Sequence, residues 1–263
     1  MSATGSGGGD AEITYGTYLA VDELLQMQRP RSRPEHPDEL LFIVVHQSSE
    51  LWFKVMLHEL DFLIERLSGG DTLGALAATR RLNALVRIVA AQLSALDTLP
   101  PQRFAQFRGY LGSASGGQSA QFRAIEAVSG IRDDHFMQVI REHGDVPDLV
   151  QRALNRPTLQ SLFLALLERE GTTVEQIYAD HAPSILFLLA ESLVEYEQGF
   201  QLWRYLHVQL VERIIGPDAG GTGGTLGARY LQRTLKQRFF PELWRVRAKF
   251  FGGSDSPASG TGD

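Results

Sequence analysis

The chain has no cysteine among its 263 residues. Disulfides, Cys-ligated zinc, iron–sulfur clusters and thiolate-ligated haem are therefore excluded. The absence fits a reducing compartment without requiring one. Positive charge is in short supply: 25 Lys+Arg stand against 31 Asp+Glu, for a formal net charge of -6. No general basic field is present to attract nucleic acid or an anionic membrane. No uninterrupted apolar run reaches the roughly 18–20 residues that span a bilayer. The opening MSATGSGGGD has neither the basic nor the apolar region of a signal peptide. A cytoplasmic protein is the expectation. Alternating apolar and polar residues are missing as well, so nothing reads as a half-buried strand.

What is present is helical. A hydrophobic content of 43% with 21% charged residues is that of an ordinary globular chain with a sizeable core. Residues 11–251 are expected to form one all-α domain, a bundle of four long helices plus short ones. Gly/Ser-rich tails at 1–10 and 252–263 read as disordered. Three prolines in RPRSRPEHP make 29–37 an irregular link, after which Asp38 should cap the first long helix, DELLFIVVHQSSELWFKVMLHELDFLI (38–64). A second runs over about 72–98 and stops at Pro100 and Pro101. The third spans Pro183 to Ile215, with Gly199 inside it as a mark of close packing. The fourth covers about 228–250, bent at Pro241. Glycine-rich loops lie at 112–119 and 216–227.

Seven histidines form the inventory of candidate chemistry. His36, in the proline link, and His143, beside a glycine, read as solvated. His46 and His207 differ, because each sits in apolar company on a long helix. Phe42, His46 and Glu50 recur at i, i+4, i+8 and share one side of their helix. Such an imidazole is either a satisfied core histidine or the one polar group of a pocket wall. No Glu-x-x-His pair supports a di-iron bundle, no HExxH a zinc hydrolase, and no GxSxG a serine nucleophile. A lone histidine on a helix can serve as the axial ligand of a haem, with a second opposite it for hydrogen bonding or proton transfer. GGTGG (220–224) follows no strand, so it is a plain linker or a mobile lid rather than a dinucleotide loop. Arg108 and Arg123 each follow a Phe, and either could grip a carboxylate or snorkel at the surface.

Six segments in this order resemble the tryptophan 2,3-dioxygenase family: TYGTYLAVDELL (14–25), HPDELLFIVVHQSSELWFK (36–54), FRGYLGSASGGQS (107–119), FQLWRYLHVQLVERIIG (200–216), GGTGG (220–224) and FFPELWRVR (239–247). The resemblance implies a haem b enzyme that uses O2 as co-substrate and converts L-tryptophan to N-formylkynurenine. It further implies a homotetramer in which an N-terminal segment completes a neighbour's site. By the same resemblance His207 is the proximal iron ligand and His46 the distal imidazole facing the indole N–H. Phe42 and Leu111 line the indole pocket, Arg108 binds the substrate carboxylate, Thr222 meets the amino-acid end, and Ser115 is a pocket serine. Tyr15, Tyr18 and Leu19 are the residues donated in trans. Phe104 stands where some members carry Tyr, which removes one hydroxyl near the carboxylate. Two rival readings accompany this one: a relative that adds a single oxygen to a tryptophan derivative, giving a 2-oxindole, and a haem sensor or non-catalytic helical binding protein.

Overall fold

Residues 13–132, 146–180, 182–218 and 227–251 are described by the computed structural model, and no strand occurs among them. The tails, His135, His143, His181 and the GGTGG loop fall outside the described residues. Two one-turn helices, α1 (Tyr15–Leu19) and α2 (Val21–Leu24), precede the proline link. Three long helices follow from there: α3 (Glu39–Gly69), α4 (Thr72–Gln92), extended by a 3-10 segment over Leu93–Thr98, and, further along, α10 (Ile185–Ile215). Between them lie α5 (Pro101–Arg108), α6 (Ala120–Ser129), α7 (Asp148–Leu154), α8 (Leu159–Arg169) and α9 (Val174–Ala179). The chain closes with α11 (Gly227–Thr234) and α12 (Pro241–Lys249).

Local chemistry explains the long helices. Leu and Ala dominate α4, and Asp71 caps it by accepting from the Gly74 N–H at 2.8 Å. α3 ends at Gly70, whose φ of 81° closes the helix in the left-handed region. Ser184 caps α10 by accepting from the Phe187 N–H. Pro183 therefore lies just outside the helix rather than in its first turn. Met56, Leu60 and Leu63 of α3 meet Leu82 and Val86 of α4 and Leu193 and Tyr196 of α10 in the main core. A Cβ on Gly199 would sit 2.6 Å from Val86 Cγ1, so α10 and α4 approach more closely than a methyl group permits. That is the close packing expected of this glycine.

The fourth long helix does not form. α11 and α12 are separate, and Pro241 opens α12 in its first turn instead of bending a continuous rod. The cause is Glu197, 1% exposed on α10. Its carboxylate accepts from the backbone N–H groups of Phe239 (2.9 Å) and Phe240 (2.8 Å) and from Trp244 Nε1 (2.7 Å). Those bonds pull 239–240 out of helix and plant both rings in the core. Arg238 adds an ion pair at 3.2 Å.

Asp38 does not cap α3; it pairs with Arg103 Nε of α5 at 2.5 Å. Glu39, also buried, accepts instead from the N–H groups of Arg31 (2.7 Å) and Ser32 (3.0 Å) and from the Ser32 hydroxyl (2.5 Å). The proline link is thereby fastened to the start of α3. His36 is fixed rather than solvated: its ring lies 5.1 Å from that of Phe107, and Nε2 is 2.9 Å from Gln106 Oε1. Nδ1 accepts from the Asp38 N–H, so Nε2 carries the proton and donates to Gln106. By length and mean hydropathy alone α3 could cross a bilayer. Its polar side chains bind other helices, Ser48 to Gln92 and Glu50 to Gln121, which is the behaviour of a core helix.

Replacing Glu197 with Ala leaves two buried backbone donors and the half-buried Trp244 Nε1–H without this acceptor. Denaturant unfolding should show a loss of about 3 kcal/mol or more. A loss under about 1 kcal/mol would mean that the carboxylate does not hold the C-terminal segment.

Candidate active site

His46 and His207 project from the two longest helices into one region. Val45 of α3, Leu93 and Leu96 of the 3-10 segment and Leu210 of α10 form a small buried cluster, with Phe42, Trp203, Leu206 and Ile214 packed on it. This cluster clamps the N-terminal part of α3 against the C-terminal half of α10. The two imidazoles end close enough for the charge of one to act on the other.

Both rings are held neutral. Burial pushes the His207 pKa down to about 4, and the neighbouring His46 adds to the shift. Burial also lowers His46, opposed by the Phe42 carbonyl and by Glu50. His46 nevertheless reaches open space. A ring both desolvated and open on one side lines a recess; it is not a satisfied core histidine. Its Nδ1 lies 2.7 Å from the carbonyl oxygen of Phe42. A carbonyl only accepts, so Nδ1 carries the proton and Nε2 presents a lone pair. His46 therefore offers an acceptor to whatever enters the recess.

Aromatic side chains build the distal wall. The Phe42 ring lies 4.2 Å from His46, 5.6 Å from Phe104 and 5.8 Å from Phe107. Phe104 and Phe107 are buried at 5.3 Å in an edge-on contact, with Leu111, Ile214 and Ile215 around them. Phe42, His46, Phe104, Leu111 and His207 thus lie in one region. Arg108, partly buried, is the last residue of α5 and follows Phe107 directly. Ser115 opens a 3-10 turn, and its hydroxyl oxygen accepts from the Gly117 N–H at 3.3 Å. Tyr15 and Tyr18 are 79% and 77% exposed, and Leu19 is exposed as well, so this protomer does not gather them into its own recess. Thr222 lies outside the described residues.

Arg123 does not face the recess as a carboxylate grip. Its Nη1 binds Glu126 at 2.8 Å, and the same carboxylate binds buried Arg204 at 2.7 Å. Two contributors escaped the sequence reading. Phe107, fully buried, braces Phe42 from below. Trp203 lies one turn before His207 and stacks on it at 5.2 Å. Its signal was available: Trp203 precedes His207 by the same four residues that separate Phe42 from His46.

The donor chemistry limits what the recess can hold. Among the described residues no three His, Asp or Glu side chains converge as a metal site. A single neutral imidazole suits an iron that brings four equatorial nitrogens of its own, and apolar walls suit a flat macrocycle. His207 is the side chain of this region whose chemistry fits such a group, with His46 beside it.

The profile of the tryptophan 2,3-dioxygenase family matches residues 3–175 and 163–250. A tryptophan 2,3-dioxygenase of Anaeromyxobacter dehalogenans (strain 2CP-C) is 43% identical over 257 residues, covering 90% of this chain and 96% of the relative. One from Herpetosiphon aurantiacus is 43% identical over 258 residues, covering 90% and 98%. One from Bacillus anthracis is 38% identical over 261 residues, covering 90% and 92%.

The lowered His207 pKa has a sign that can be checked on the cofactor-free chain. Unfolding releases His207 to its ordinary value near 6.5, so the unfolded chain takes up a proton first as pH falls. The stability tied to neutral His207 is therefore present above about 6.5 and lost as pH drops towards 4. Urea unfolding at pH 7, 5.5 and 4 should show a steeper fall for the parent chain than for His207→Gln. Parallel curves would contradict a buried neutral imidazole.

Proposed function

Because the chain belongs to the tryptophan 2,3-dioxygenase family, we propose that it is a haem b oxidoreductase that inserts both atoms of O2 across the indole C2–C3 bond of L-tryptophan. The product is N-formylkynurenine. The observation that carries this reading is the neighbouring pair His46 and His207, both with lowered pKa and each backed by an aromatic ring one turn earlier. A haem, which His207 would hold, would supply the activation of O2. The stoichiometry closes without a reductant: the C2–C3 bond breaks, each carbon gains one oxygen, and O2 is the only oxidant.

The remaining work is positioning. His46 Nε2 accepts the indole N–H, because Nδ1–H is already committed to the Phe42 carbonyl. Phe42, Phe104 and Leu111 bury the flat ring for a few kcal/mol. Arg108 grips the substrate carboxylate as a fork and so fixes which edge of the indole meets oxygen. Ser115 accepts from a backbone N–H and keeps its own proton to donate. Thr222, outside the described residues, is assigned to the amino-acid end by the family resemblance alone. Neutral His46 orients the ring and can also take the indole proton.

The exposed side chains of Tyr15, Tyr18 and Leu19 support completion of a neighbouring subunit's recess. The assembly in which this occurs is a homotetramer, a dimer of dimers. Gln47, next to His46, accepts from Gln28 at 2.6 Å and donates to the Met27 carbonyl at 3.1 Å. The N-terminal segment thus departs from the rim of the recess.

Turnover of L-tryptophan under isotopically labelled O2 tests the reaction. Two labelled oxygens in one product molecule are expected. A single added oxygen, or a substituted tryptophan as the only substrate, would overturn the dioxygenase assignment. Arg108→Ala should raise KM about a hundredfold, roughly 3 kcal/mol for a charged hydrogen-bond pair. An unchanged KM would remove Arg108 from the carboxylate.

A further inference from the structure

The two histidines differ in how their rings are held. His46 is fixed by a hydrogen bond to the Phe42 carbonyl. Among the described residues no hydrogen bond reaches either nitrogen of His207. A metal-ligating imidazole is ordinarily oriented by such a bond from its second nitrogen to a carboxylate, carbonyl or water. Something else must set the rotation of His207.

The Trp203 indole lies against it, ring centroids 5.2 Å apart and planes 19° from parallel. Trp203 is itself wedged by Phe122 at 4.8 Å and Phe53 at 6.4 Å, two buried rings from α6 and α3. Among the described residues its buried Nε1–H has no acceptor. Hydrogen bonding therefore does not explain where the indole sits, whereas ring packing does. One aromatic stack runs from Phe122 through Trp203 to His207, crossing from α6 to α10.

We infer that Trp203 is the positioning residue for His207, fixing the rotation of the proximal imidazole by its flat face in place of a hydrogen bond. This rests on His207 being the haem ligand. A ring free to rotate on iron samples several orientations, which weakens the bond on average and spreads its vibrational frequency. The flat face is what matters, so Phe can substitute and a branched aliphatic side chain cannot.

The test compares Trp203→Phe, Trp203→Leu and Trp203→Ala in the full-length haem-loaded protein. Two readouts are the iron–histidine stretching band of the ferrous state and the rate of haem transfer to apomyoglobin. Circular dichroism and thermal unfolding check that each variant folds. Leu and Ala should shift or broaden the band and speed haem loss roughly tenfold to a hundredfold, the range typical of lost ligand support. Phe should stay near the parent in both. Parent-like bands and rates in folded Leu and Ala variants would overturn the inference, as would a folded Phe variant that fails as Ala does. A parent chain that takes up no haem overturns the reading beneath the inference and the inference with it.

Discussion

Desolvation of two neighbouring imidazoles is the constraint from which the chemistry proposed for this molecule follows. A histidine in water is half charged near pH 6.5, and a charged ring can neither bind iron nor accept an indole N–H. Two such rings near each other also repel when both are charged. Burial lowers both rings, His207 to about 4, while His46 keeps one side open. Enclosure in turn requires α3 and α10 to be clamped together, and the Val45, Leu93, Leu96 and Leu210 cluster is the clamp. Behind it stands the tight crossing of α10 on α4 at Gly199.

Around this pair, the rest of the chain frames the recess. Glu39 and Asp38, one fastening the proline link and the other α5, set the entry to α3 and the position of Phe104 and Phe107 together. His36 adds a second tie from the link to α5. On the opposite side the Arg123–Glu126–Arg204 group joins α6 to α10 one turn from His207. A carboxylate buried with two guanidinium groups brings modest net stability, since desolvation offsets most of the attraction. What it fixes is the relative position of the two helices.

Much of this was legible in the chain. Periodicity and the absence of alternation reveal the helices, and apolar neighbours single out His46 and His207 from seven histidines. The four-residue spacing that linked Phe42 to His46 would also have linked Trp203 to His207, but a Trp between Leu and Arg reads as plain core. Other features were beyond reach for a physical reason. The break before α12 depends on Glu197, 42 and 43 residues earlier, accepting two backbone N–H groups. Pro241 alone cannot tell a kink from a first turn. Asp38 has the chemistry of a cap, yet Arg103 outcompetes the backbone for its carboxylate. For Arg123 a carboxylate grip and a snorkelling surface residue both stayed open, because the buried face that pairs it with Glu126 one turn away was not evident.

The central claim is that one recess, walled by α3 and α10, takes one haem through His207 alone. Titrating haemin into the cofactor-free chain, followed by the Soret band, measures this directly. Saturation at one equivalent per chain is expected for the parent and for His46→Ala, with no specific uptake by His207→Ala. Stoichiometric uptake by folded His207→Ala, or its loss in His46→Ala with His207 intact, would contradict the account.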